Sequence, residues 1–139
     1  PQHANPNDRF LALLLRSAVL ADRGDLLAAR ASIDIALGDW DKLPDGFRQL
    51  LAISAANLAA QIDRDPERAR AWLERAEGGL IEDYQYAEVR ARIADLEGDP
   101  VTRDVSIEHL RQAVDDSIYL GDAKSYRDKL AKWDQERVL

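Results

Sequence analysis

The sequence predicts an all-α fold of about seven helices arranged as antiparallel hairpins. Two observations carry this expectation. Apolar residues recur at helical spacing through every long segment, and no segment shows the strict alternation of a half-buried strand. Glycine followed by aspartate also punctuates the chain, at Gly24-Asp25, Gly38-Asp39, Gly98-Asp99 and Gly121-Asp122. Glycine tolerates the left-handed conformation that ends a helix, and the aspartate after it accepts hydrogen bonds from the free N–H groups of the next one.

The elements follow in order. A first helix near 7–22 turns Phe10, Leu13, Leu14, Ser17, Leu20 and Ala21 inward, and a second over 26–37 uses Leu26, Ala29, Ile33, Ala36 and Leu37. Pro44-Asp45-Gly46 breaks the chain before a third helix, about 46–62, which is apolar almost all round, as in a helix enclosed by neighbours. Asp65-Pro66 starts the fourth, about 66–77, with Ala69, Trp72, Leu73 and Ala76 on one face. Proline at the first helical position loses no hydrogen bond there.

Gly78-Gly79 is a strong stop. A fifth helix over 83–96 then shows Tyr86, Val89, Ile93 and Leu96. The sixth, about 102–119 after Asp99-Pro100, carries Val105, Ile107, Leu110, Ala113, Val114 and Ile118. The seventh, about 122–136, aligns Tyr126, Leu130 and Trp133 on one stripe and is charged elsewhere. Paired, these segments make hairpins of about 7–38, 46–78 and 83–119.

Composition narrows the function. A chain of 139 residues suits a single domain, 1–139, with a core large enough to fold without staples. It has no cysteine, which removes disulfides and thiolate metal sites and fits a reducing, cytoplasmic setting. The longest nearly apolar run, Leu50 to Ala60, is well short of the roughly 20 residues of a membrane span. With 26 acids against 19 bases and a formal charge of -7, nucleic acid and anionic lipid are disfavoured as partners, since both are bound largely through lysine and arginine. The Ala-, Arg- and Asp-rich composition suits a high-GC bacterial chain. Starting at Pro1 and lacking methionine, the chain reads as a segment of a longer protein.

The hairpins are copies of one another. Ala29, Ile33 and Ala36 recur forty residues later as Ala69, Leu73 and Ala76, and again as Ser106, Leu110 and Ala113. On the preceding helices Ser17 and Leu20 correspond to Asn57 and Ala60, then to Ala91 and Ala94. Small residues let two antiparallel helices approach closely, and the large residue between them fills the gap to the next hairpin.

In this order of large, small, large, turn, alanine, large, alanine, the chain resembles the tetratricopeptide repeat family. Leu13, Ser17, Leu20, Gly24-Asp25, Leu26, Ala29, Ile33 and Ala36 make the best copy. Ile53, Asn57, Ala60, Pro66, Ala69, Leu73 and Ala76 make the second. The third departs, with three extra residues after Gly98 and Ser106 in place of alanine. The forty-residue spacing also exceeds the family's thirty-four, the excess falling around Asp39–Asp45. The resemblance implies a short right-handed superhelix, and the seventh helix would be its C-terminal cap.

Chemistry is sparse. His3 lies in a polar end and His109 sits beside Glu108 on the sixth helix. Neither belongs to a zinc-binding arrangement, so no metal or cofactor is expected. Glu82-Asp83 and Asp115-Asp116 fall at helix edges as solvated or capping carboxylates, and Gly78-Gly79 lacks the lysine of a phosphate loop. No enzyme is expected. Trp72 and Trp133 take core registers, whereas Trp40, in the connection Gly38–Pro44, either folds back over a hairpin or stands out as a contact anchor.

By resemblance to the family, a concave groove lined by the first helix of each hairpin would hold a protein or peptide partner. The positions in register are Leu11, Leu14, Ser54, Leu58, Gln61, Glu88, Arg92 and Asp95, with Leu14 and Leu58 meeting the partner's apolar side chains. The family's carboxylate-clamping positions hold Leu14, Ala18, Ser54 and Leu58 here, which departs from the chaperone-tail role. The expected function is a protein-interaction module. Its alternative is a structural or self-associating domain in which hairpin faces pair as a homo-oligomer.

Overall fold

The computed structural model describes residues 5–76, 83–115, 127–128, 130–132 and 135, and among these every regular element is a helix, with no strand. Among the described residues, the α-helices with defined bounds are α1 (Pro6–Asp22), α2 (Leu26–Leu37), α3 (Asp45–Leu58), α4 (Pro66–Ala76), α5 (Asp83–Leu96) and α6 (Pro100–Asp115). The stop at Gly78-Gly79 and most of the seventh predicted helix lie outside the described residues. Those described between 127 and 135 are helical, and Leu130 is buried. The chain divides into two compact units, Pro1–Ile81 and Glu82–Leu139.

In the first unit α1 packs on α2 and α3 on α4. The connections explain the hairpins. Asn5 caps α1 by accepting from the Asn7 N–H at 2.9 Å, and Pro6 follows at the first helical position. The helix ends at Gly24, whose φ of 81° is open to glycine at little cost. The backbone N–H of Asp25 then closes on the Leu20 carbonyl at 2.9 Å. Asp25 caps α2 through the Ala28 N–H at 3.3 Å, so one dipeptide both stops and restarts the chain.

The four helices share a core of Phe10, Ala29, Ile33, Ala36, Leu43, Leu51, Ala55 and Leu58, with Leu13, Leu14 and Trp72 packed at its edge. Phe10 stacks on Phe47 with ring centroids 5.0 Å apart, joining the start of α1 to the start of α3. Along the first hairpin, residues equally far from the turn pair as large with large or small with small. Leu13 stands level with Ile33 and Ser17 with Ala29, and forty residues on Ile53 stands level with Leu73 and Asn57 with Ala69. Ser17, Ala29 and Ala69 are all buried, as close packing of the paired helices at that level requires.

Three expectations are corrected. Gly38 has a helical φ of −63° rather than a left-handed one. The Asp39 side chain makes no cap, and a short 3₁₀ turn, Trp40–Lys42, follows it. The third helix does not run α-helical to its end. From Ala59 to Asp63 it widens into a π turn, closed by Arg64 at a left-handed φ of 52°. Apolar residues continue through this stretch, so periodicity alone marks no change of winding.

The third correction lies in the second unit, where α5 packs on α6. Its core holds Ala87, Ala91, Ile107, Leu110 and Leu130. Val105, expected inward, is 65% exposed. The buried stripe of α6 runs through Ser106, Ile107 and Leu110, and Val105 falls roughly 150° from its centre at 100° per residue. Gly98 repeats the Gly24 device with φ 69°, and Asp99 caps α6 through the Thr102 N–H at 3.0 Å.

No Cβ added at Gly24 or Gly98 meets an atom within 4 Å, so alanine there is opposed by backbone conformation alone. Gly24→Ala and Gly98→Ala are each expected to cost about 1 kcal/mol in urea unfolding. Gly38→Ala, at a φ any residue adopts, is expected to cost less, its one tight contact being the Ile35 carbonyl at 3.2 Å.

Candidate functional site

The positions expected to line a groove divide sharply in the structure. Leu11 is exposed on α1, Leu14 is half-buried against the core, and Ser54 is half-buried with its hydroxyl donating to the Leu50 carbonyl at 3.1 Å. Gln61 is half-buried in the π turn. Leu58, expected to meet a partner, is 5% exposed and belongs to the core of the first unit. The third helix is enclosed on that side by α2 and α4, and this places Leu58 inside.

In the second unit Glu88 is 2% exposed, so it too is no surface contact. Its carboxylate takes a hydrogen bond from Arg92 at 3.2 Å, one helical turn away. Asp95 is exposed and pairs with Arg103 at 3.3 Å.

Apart from Leu11, the exposed apolar residues of the first unit lie outside the expected positions. Leu11, Leu15 and Val19 follow one another at i, i+4 and i+8 on α1, on the face away from Phe10, Leu13 and Ser17, and Leu15 is 68% exposed. Ala12 and Ala18 are exposed beside them, with Asp8 and Asp22 at the two ends. On α2 the exposed residues Leu27, Ala31 and Ile35 repeat the same spacing. The sequence conceals these stripes because Leu11 to Ala21 is apolar nearly all round. The only polar residues of that run, Arg16 and Ser17, sit one on each face.

Two charged groupings organise the surface around α2 and α4. Asp63, carried by the π turn, accepts from both terminal nitrogens of Arg30, at 2.6 and 2.7 Å, and Arg68 approaches it at 3.7 Å. The side chains of Arg30 and Asp63 remain 26% and 24% exposed, so water screens the pair. The hydrogen bonds from Arg30 hold the Asp63 carboxyl below the usual carboxylate range.

The second grouping settles Trp40, which folds back over the hairpins. Its ring tilts against Trp72 at 5.9 Å, Arg48 donates to the Trp40 carbonyl at 2.8 Å, and Arg75 lies over the Trp72 ring at 4.9 Å.

His109 is exposed, and among the described residues no group of three or more His, Asp or Glu side chains could hold a metal ion. No described helix is long and apolar enough to cross a membrane. No protein-family model matches the chain, and neither does any curated protein or solved structure.

The Asp63 and Asp99 carboxyls both lie below their ordinary value, Asp99 through hydrogen bonds from the Thr102 hydroxyl and backbone. A group depressed on folding adds stability that is complete above its unfolded pKa, near 4, and disappears as pH falls through the folded value. Unfolding midpoints measured in urea from neutral to acid pH should therefore fall less steeply for the double variant Asp63→Asn, Asp99→Asn than for the parent. Arg30 stays charged throughout and adds no slope of its own.

Proposed function

We propose that the protein is a binding module of helical hairpins that holds a segment of another protein, with tetratricopeptide-like hairpins stacked as a short right-handed superhelix. The observation that carries the reading is the row Leu11, Leu15 and Val19 on α1. Single exposed apolar residues are ordinary, but a contiguous row with a polar border marks an interaction surface. Its spacing is that of the anchors by which an amphipathic helix is recognised. The forty-residue internal repeat, with small residues level at Ser17–Ala29 and Asn57–Ala69, supports the family likeness.

Pairing of two copies through this row is the second reading, and charge disfavours it. A two-fold contact between antiparallel α1 helices centred on Leu15 sets Asp8 of one copy opposite Asp22 of the other, joining like charges at both ends. A partner with basic residues flanking its apolar side chains meets the same ends favourably.

Leu15→Asp tests the reading, because substitution of so exposed a residue leaves stability within about 0.5 kcal/mol. The immobilised parent chain is expected to retain a partner, identified by mass spectrometry, that the Leu15→Asp chain releases. Retention of the same partner by both chains would remove α1 from the binding surface. Sedimentation showing a parent dimer that Leu15→Asp dissociates would establish self-association instead.

A further inference from the structure

A second surface of the first unit stands apart from the α1 row. Between α2, α3 and α4 lies an open cleft of about 110 Å³, floored by Ile33, Leu37 and Trp72 and rimmed by Arg30, Asp34 and Arg68. This is well below the roughly 300 Å³ at which metabolite pockets begin, and it suits a single aliphatic side chain.

The charges around it are unevenly committed. Arg30 is held at both terminal nitrogens by Asp63, and this leaves Arg68 only the 3.7 Å approach to the same carboxylate with a side chain 61% exposed. Arg75 makes no ion pair among the described residues and rests on the Trp72 ring. Arg68, Trp72 and Arg75 stand at i, i+4 and i+7, so two guanidinium groups with donors to spare flank the indole on one face of α4. Glu67 and Glu74, one position back from Arg68 and Arg75, fall about 100° round the helix.

Asp34 is the one acid on the rim, and it stands on α2, opposite that basic line. Arginine and tryptophan are the side chains most often found to dominate contact energies, and a planar guanidinium matches a carboxylate through two parallel hydrogen bonds.

We propose that this cleft receives one aliphatic side chain from an acidic segment of a partner protein, with the flanking carboxylates taken by Arg68 and Arg75. The aliphatic group lies on Trp72 and Leu37, and Asp34 turns the segment's acids towards α4. Recognition here is independent of the α1 row, because none of the cleft residues belongs to α1.

The probe is a capped pentapeptide with a central leucine between pairs of aspartate and glutamate, titrated into the isotope-labelled whole chain. Two control peptides replace the leucine by serine or the four acids by lysine. Amide resonances of Ile33 and Leu37 and the indole N–H of Trp72 are followed by NMR.

Saturable shifts confined to these groups are expected with the acidic leucine peptide, weakened by salt and absent with both controls. Arg68→Gln together with Arg75→Gln is expected to weaken binding about tenfold, the fold-change of a lost charge-assisted contact. Leu15→Asp should leave the response unchanged, so failure of the α1 reading and failure of this one are distinguishable. The proposal is overturned if the acidic peptide gives no saturable shift at millimolar concentration. Equal shifts from the lysine or serine peptide would overturn it as well, without recourse to any variant.

Discussion

Two helices can close to about 8 Å only where the side chains between them are small. By their register along the chain, that condition is met at one level of each of the first two hairpins, by Ser17 with Ala29 and Asn57 with Ala69. The levels beside it carry the volume. Leu13 with Ile33 and Ile53 with Leu73 fill the space that the close approach leaves on either side. Burial of Ser17 makes sense in these terms, since a side chain of that size costs less than a larger one forced into the same gap.

The rest of the first unit follows from that approach. With Phe10, Leu13 and Ser17 committed inward, the remaining apolar residues of α1 have no interior to enter, and Leu11, Leu15 and Val19 form an exposed row. The long connection between hairpins is held in place by what it covers. Leu43 is buried, Trp40 lies against Trp72, and Arg48 satisfies the carbonyls of Trp40 and Asp41 at 2.8 and 3.0 Å. The residues of this connection therefore make a built element, and they bring a second indole to the surface around α4.

Element boundaries were legible in the sequence wherever local chemistry decided them. Gly24-Asp25, Asp65-Pro66 and Asp99-Pro100 place helix ends through one or two residues each; the observed starts at Leu26 and Pro66 agree, and α6 begins at Pro100 itself, two residues before the expected 102. Gly38 shows the limit of that reasoning, because the dipeptide has the same letters but its glycine keeps a helical φ.

The exposed apolar rows were harder to read. Along Leu11–Ala21 and through the third helix apolar residues occupy every side, so periodicity could not tell Leu58, which is buried, from Leu15, which is not. The Arg30–Asp63 pair joins residues thirty-three positions apart through a π turn that no local signal announces. Both miss for the same reason: they depend on which neighbour covers a face, and a single sequence does not state it.

The close approach at the small level is the claim on which the hairpins, the exposed row and the cleft all rest. Urea unfolding of Ala29→Leu beside Ala31→Leu measures it directly, since the two sites lie on one helix, receive the same side chain and differ in burial. The account predicts a loss of about 1–3 kcal/mol at Ala29, where the added carbons have no space. It predicts a change within about 0.5 kcal/mol at Ala31, which is exposed. Equal stabilities for the two variants would contradict it.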